Sequence, residues 1–284
     1  MTKNENSKRP NLCILGANTK TTRPDSYNWP VDFSEIREIE SCAADSLPTR
    51  ELEIYDGWRL RFNDGVGRRA NSVLAEKSGA IGLEQKLAYA ENYYAGHELA
   101  TRFQINIASQ PTELAELLIK KAYEKAPGAK VKTADINTLG SKTALQKVDI
   151  FSRANDIWLN IYEQVESADY HKTTVRRAMF DKMPLSSAFA LAYIDDSPAA
   201  VGLGVLIRGR LGIFNMATLP ELRKRGAAKS IVYSLAKWAK ERKAEQIYLQ
   251  VTHANAGAQK AYKKMGFVKA YEYDYYTKSL EVKS

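Results

Sequence analysis

Apolar positions along this chain recur in two periods, every second residue or every third to fourth, and the changes of period divide it into short alternating elements. Residues 33–44 read as a helix and 51–55 as a short strand. Residues 57–62 and 69–74 alternate on either side of Asn63-Asp64-Gly65-Val66-Gly67, which is turn chemistry, so they read as a β-hairpin. Leu83, Leu87, Ala90 and Tyr94 fall at i, i+4, i+7 and i+11, the stripe of an amphipathic helix. A strand over 102–107, a helix bearing Leu114, Leu117, Leu118 and Ala122, and a strand over 130–136 complete this stretch.

The following residues repeat that order. Residues 156–166 and 170–182 read as helices, the first with Trp158, Ile161, Tyr162 and Val165 on one face. Strands are expected over 188–193, 199–207 and 210–218, the last two joined across Arg208-Gly209. Ala228, Ile231, Val232, Leu235 and Ala239 then mark a helix, 246–251 a strand, and Ala258, Ala261, Tyr262 and Met265 a last helix that stops at Gly266. Two helix ends are alike, Lys121-Ala122-Tyr123-Glu124-Lys125 and Lys260-Ala261-Tyr262-Lys263-Lys264. With the shared order of elements, this points to an internal duplication. The expected division is an N-terminal arm over 1–30, a first domain over 31–140 and a second over 141–284, in an α/β (α+β) class.

Composition narrows the class. The chain has 284 residues, 44% of them hydrophobic and 26% charged, which suits a soluble globular protein. No apolar run reaches the roughly 18 residues of a membrane span, and the first residues have no signal core, so a cytoplasmic location is expected. Cys13 and Cys42 are too few for a disulfide framework or a zinc site, and no metal is expected. The net charge of +9 fits an anionic partner, for which a phosphate-bearing cofactor suffices without nucleic acid.

The candidate chemistry lies between the strand over 210–218 and the helix that follows. There the chain runs Arg223-Lys224-Arg225-Gly226-Ala227-Ala228. A small-residue loop at a helix N-terminus offers free backbone N–H groups and a positive dipole end to a phosphate. An ordinary βα turn with a solvated basic start is equally compatible with the loop alone. A phosphate loop of the Walker type is excluded because the Gly-Lys-Ser/Thr ending is missing, and a dinucleotide fold because there is no G-x-G-x-x-G.

The loop resembles the Arg/Gln-x-x-Gly-x-Gly/Ala signature of the GCN5-related N-acetyltransferases (GNAT). Residues 255–267, beginning Asn255-Ala256-Gly257-Ala258, are similar to that family's N-x-x-A-x-x-x-Y-x-x-x-G-F signature. The resemblance spans about residues 150–278, in detail 210–267, and implies two GNAT-like mixed-sheet domains, the N-terminal one degenerate. It also implies acetyl-CoA as co-substrate and an amine as acceptor. The pantetheine arm would pair with the backbone of Met216, Ala217 and Thr218, and the pyrophosphate would sit on Arg223, Lys224, Arg225, Gly226, Ala227 and Ala228. Asn255 would bond the pantetheine or simply cap its helix. Tyr262 would protonate the departing thiolate; otherwise it is a core tyrosine.

Departures from the family pattern limit this picture. The strand over 210–218 carries no carboxylate, so no general base is assigned; Asn215 could position a water, and Glu272, Asp274 and His253 are candidates elsewhere. In the first half, residues 75–82 lack the R-x-x-G-x-A spacing, and Glu116 stands where the pattern wants Asn. Arg68, Arg69 and Asn71 are the polar groups of that half expected to face the cleft, and Tyr271, Tyr273, Tyr275 and Tyr276 could line an acceptor pocket. Two function classes follow. One is acetyl transfer to a primary amine of a small molecule or peptide-like compound, an amine-bearing antibiotic among them, or of a protein. The other is a non-catalytic acyl-CoA-binding or regulatory module. A monomer with pseudo-dimeric halves, without membrane attachment, is the expected state.

Overall fold

The computed structural model describes residues 32–167 and 169–280. The expected arm over 1–30, with Cys13, lies outside the described residues. The first half runs α1 (Phe33–Ser46), β1 (Glu51–Tyr55), β2 (Trp58–Phe62), a 3-10 turn (Arg69–Asn71), β3 (Ser72–Ala75), α2 (Leu83–Gly96), β4 (Thr101–Asn106), α3 (Leu114–Lys120), β5 (Glu124–Asp135) and α4 (Ile136–Gly140). The second runs β6 (Val148–Phe151), α5 (Asp156–Glu166), α6 (Tyr170–Asp181), β7 (Ser187–Ile194), β8 (Ser197–Ile207), β9 (Arg210–Thr218), α7 (Ala227–Lys240), β10 (Gln246–Thr252), α8 (Ala256–Lys264) and β11 (Val268–Lys278). Among the described residues no helix is long and apolar enough to cross a membrane.

All eleven strands form one sheet in the order β1-β2-β3-β4-β11-β5-β10-β9-β8-β7-β6. Reading outward from the central antiparallel pair of β11 and β5, the two directions match step by step. Each meets an antiparallel neighbour (β4, β10), then a parallel one (β3, β9), then two antiparallel ones (β2 and β1, β8 and β7), and the second direction adds β6, again antiparallel, at its edge. The duplication is therefore written in the hydrogen-bond pattern. It also contains an exchange: β5 ends the first half yet pairs with β10, and β11 ends the second half yet pairs with β4.

Local sequence explains most element ends. Asp32, Asn155 and Asp169 cap α1, α5 and α6 by accepting a backbone N–H at the first turn. Asp56 and Gly57, both at positive φ, close a two-residue hairpin between β1 and β2, a pairing the alternation alone did not reveal. β2 and β3 pair antiparallel as expected, but residues 69–71 form a 3-10 turn, so the second strand starts at Ser72. The expected helical match at 121–125 is corrected. α3 ends at Lys120, Ala122 turns at positive φ, and Glu124 already belongs to β5, whereas Lys260 to Lys264 do lie in α8.

Three cores cover the sheet. One packs α1, α5 and α6 on strands of both halves, with Trp158, Phe189 and Tyr248 at its centre. A second packs α4 and α7 on β7, β9 and β10. The third packs α2 and α3 on β2, β3 and β4. β11 serves two of them, sending Tyr271, Tyr273 and Tyr275 into the first and Tyr276 into the third.

Candidate active site

The site begins where two parallel strands part. β9 and β10 pair only from Arg210↔Gln246 to Ile213↔Leu249. On its other edge β9 carries a bulge, since Val201↔Ala217 and Leu203↔Phe214 leave two residues facing one. Asn215, within the bulge, has φ +49. A bulge bends its strand, so β9 turns away from β10 and its backbone from Phe214 onward has no strand on that side. Gly202 faces the bulge, where an added Cβ would overlap Met216 Sδ and lie 2.8 Å from Ile231 Cγ2. A side chain at Gly202 would crowd Met216 and Ile231 beside the bulge.

The loop before α7 is shaped for an anion. Lys224 and Gly226 have φ +63 and +92, and α7 begins at Gly226 without a side-chain cap. By contrast α1, α4, α5, α6 and α8 each take a cap from Asp or Asn. The first-turn N–H groups of α7 are thus left for a ligand, with the dipole favouring negative charge. Arg223 and Lys224 are exposed. Arg225 pairs with Asp195 at 2.8 Å, an exposed ion pair of little energetic weight. Ala227 is buried and Ala228 half-buried at the helix start.

The corresponding loop of the first half is closed from within. Ala80 and Ile81 donate their N–H groups to the two carboxylate oxygens of Asp56, each at 2.9 Å. The fully buried Lys86 reaches the same carboxylate at 3.2 Å and bonds the carbonyls of Asp56 and Ser78. These backbone hydrogen bonds, with the Lys86 charge, hold the Asp56 pKa below its ordinary value. A carboxylate therefore takes the loop N–H groups ahead of α2, although α2, like α7, starts at a glycine without a side-chain cap.

Between the halves, on the α1/α5/α6 face, lies a cavity of about 450 Å³. Met216, Asn255 and Tyr262 line it, and Thr218 and the 223–228 loop stand outside it, reached along β9. Ala217 is buried in the first core. Asn255 caps α8 by accepting the Ala258 N–H at 3.0 Å, so the capping role is met at the cavity wall. Tyr262 packs edge-on against Phe267 with 5.7 Å between rings, and burial pushes its hydroxyl pKa up to about 12. Asn215, expected to position a water, lines the cavity, but the candidate bases Glu272, Asp274 and His253 do not. Glu272 pairs with Lys269 at 2.8 Å and Asp274 with Lys125 at 3.0 Å.

Arg68 and Arg69 line the cavity, as expected. Asn71 does not. Its side chain holds the hairpin loop, accepting from Asn63 and Gly65 N–H and donating to the Val66 and Gly67 carbonyls. Tyr273 and Tyr275 reach the cavity, while Tyr271 bonds the buried Glu40 at 2.8 Å and Tyr276 faces the other side of the sheet. Sequence reasoning missed Arg61, Arg176, Gln250 and Tyr162. Arg61 stands in a strand that is buried on both faces, and Arg176 on a helix with no local motif, so only the fold brings them here.

Residues 33–276 match the family described as "Probable histone acetyltransferase Rv0428c C-terminal". The uncharacterized N-acetyltransferase YobR of Bacillus subtilis (strain 168) is 31% identical over 249 residues, covering 86% of this chain and 98% of that protein. A GCN5-related N-acetyltransferase from Kribbella flavida superposes with a TM-score of 0.66 at 14% identity, over 86% of this chain and 96% of that one. A tandem GNAT protein from the clavulanic acid biosynthesis pathway, crystallised without acetyl-CoA, superposes with a TM-score of 0.55 at 10% identity, over 71% of this chain and 70% of that one.

Proposed function

We propose, for a chain that belongs to the GCN5-related N-acetyltransferases and within them to the Rv0428c C-terminal family, that it transfers acetyl from acetyl-CoA to the primary amine of a small molecule or peptide-like compound. The observation that carries this reading is the join of an uncapped helix N-terminus and a parted strand edge to one cavity holding Tyr262. Backbone N–H groups around Gly226 suit the pyrophosphate, and the free edge of β9 at Met216, Ala217 and Thr218 suits the amides of the pantetheine arm. Acetyl-CoA supplies an acyl group on a thiolate leaving group.

In the transfer a C–N bond forms, the C–S bond breaks, one proton leaves the amine and one reaches sulfur. Tyr262 supplies the second on this reading, which its hydroxyl, protonated up to about pH 12, allows. No carboxylate or histidine lines the cavity among the described residues, so the first proton leaves by water, with Asn215 as a polar contact. The amine must then arrive largely neutral. Nearby guanidinium groups favour that form, since like charge lowers an ammonium pKa. The test is release of free thiol from acetyl-CoA across a panel of primary amines, with the N-acetylated product identified by mass. Thiol release without acetylated product, or none with any amine, would refute the reading.

A further inference from the structure

The cavity has a charge that the cofactor does not explain. Arg61, Arg68, Arg69 and Arg176 line it, and no Asp, Glu or His does among the described residues. Elsewhere some arginines pair closely with carboxylates, Arg59 with Asp45 and Glu76, Arg208 with Glu38 and Asp45, Arg177 with Glu163, and others donate to carbonyls. The cavity arginines Arg69 and Arg176 are distinguished by buried N–H groups left without any acceptor. The Arg69 carbonyl accepts from Ser72 Oγ, but its guanidinium forms no ion pair or hydrogen bond among the described residues, and its Nε is buried without a partner. Arg176 reaches Glu166 at 3.1 Å through one nitrogen while its Nη1 is buried without a partner. Arg68 lies over the Tyr275 ring at 4.8 Å, with only the Pro127 carbonyl at 3.5 Å as acceptor. Arg61 is spent on Ser72 and Gln104. Gln104 in turn donates to the buried Glu40, which sits behind the arginines and is also held by Tyr271.

Buried N–H donors without acceptors are costly, and a guanidinium fork is shaped for a carboxylate or phosphate. The pyrophosphate loop at residues 223–228 does not line this cavity, so the cofactor's phosphates are provided for elsewhere. We propose that the acceptor of this enzyme is an amine that carries its own anionic group, a carboxylate or a phosphate, held by Arg69 with Arg68 and Arg176 while the amine faces Tyr262. This deepens the acetyl-transfer reading and rests on it. The arrangement disfavours a polycationic amine or a lysine-rich tail, which would bring positive charge to positive charge. It also favours an amine with a pKa near 8 over one near 10.4, since less depression leaves it neutral.

The experiment uses matched pairs with the full chain: L-phenylalanine against L-phenylalaninamide, O-phosphoethanolamine against ethanolamine, and spermidine and a lysine-rich peptide as cationic members. Two measurements are made, thiol release from acetyl-CoA and calorimetric binding to the enzyme–CoA complex. The anionic member of at least one pair should be preferred roughly ten- to hundredfold in both. Which pair responds separates carboxylate from phosphate. Arg69→Gln should reduce the preference to about threefold or less while acetyl-CoA affinity is retained. Arg68→Gln, at an exposed position, should lower it in part and guards against a folding defect in the first variant. Equal or better use of the uncharged-tail member in both pairs, or of the cationic members, overturns the proposal, as does a preference that survives Arg69→Gln. Failure of every amine to release thiol while anionic members still bind would sink acetyl transfer and leave anion recognition standing. Absence of binding by every anionic member sinks the recognition itself.

Discussion

Replacing Tyr262 by Phe separates chemistry from packing at one atom. The ring is half-buried beside Phe267 and the second core, and phenylalanine keeps those contacts. Its hydroxyl makes no hydrogen bond among the described residues, so none is lost, and stability should shift by less than about 1 kcal/mol. Desolvation, the only cause, raises its pKa to about 12, so the wild-type hydroxyl is protonated throughout the range in which amines acetylate. A positioned acid contributes roughly 10²- to 10⁴-fold, and turnover should fall accordingly. The sign of the pH dependence follows: an acid with a folded pKa near 12 gives no falling limb in wild-type turnover between pH 8 and about 11. The assay is single-turnover acetylation with enzyme in excess, which keeps product release from masking the step, beside melting curves and calorimetric acetyl-CoA binding. Unchanged single-turnover rate in Tyr262→Phe would refute the reasoning and leave solvent as the proton source.

Three further outcomes follow from the geometry. Calorimetry should give one acetyl-CoA per chain, because Asp56 already fills the first-half loop, and Gly226→Asp should abolish binding by placing a carboxylate and a strained φ of +92 at the anion position; two sites per chain would refute this. Gly202→Ala should cost about 1–3 kcal/mol by overpacking and weaken acetyl-CoA binding, since its Cβ drives Met216 toward the parted edge; unaltered melting and affinity would remove Gly202 from the account. A fragment of residues 141–284 should be insoluble or inactive, because it leaves β10 and β11 without β5 between them, and co-expression with residues 32–140 should restore activity. A fully active fragment would show that the exchange is dispensable.

Much of the second half was legible because its signals are local. The stripe from Ala228 to Ala239, the Gly226 loop and the Asn255 cap each depend on residues within a few positions, and the structure has α7 and α8 there. The strand exchange was not legible. β5 reads as an ordinary last strand, and nothing in its residues says that its partner is β10, more than a hundred positions away. Residues 51–55 were legible as a strand, but Leu52 and Ile54 lie exposed at the sheet edge, so their alternation did not report the pairing across Asp56-Gly57, and the helical reading of 121–125 fell to the positive φ at Ala122. The missing base was visible as an absence along β9. The joining of Arg61 and Arg176 to the expected Arg68 and Arg69 was not, since they come from a strand and a helix that meet the turn only in the folded chain.

The exchange also explains why the first half persists after its phosphate loop is closed. Each half surrenders its last strand to the other, so neither sheet is complete alone and the cavity forms across the pair. The second half furnishes the parted β9, the α7 terminus and Tyr262, which the proposed reading gives to the cofactor. The first half furnishes the opposite wall, with Arg61, Arg68 and Arg69 on or beside the β2–β3 hairpin and Gly128 on the exchanged β5. At Gly128 any side chain would strike Tyr273, whose ring bounds the cavity, so the crossing strands set its depth. On the proposed reading, cofactor binding resides on the second half, and acceptor recognition mainly on the first, with Arg176 contributed by α6 of the second. Changes in residues 61–70 should alter which amine is taken and leave acetyl-CoA affinity alone, whereas changes in residues 223–228 should do the reverse. A duplicated fold that loses one of two identical sites gains a wall free to vary, and here that wall carries the positive charge.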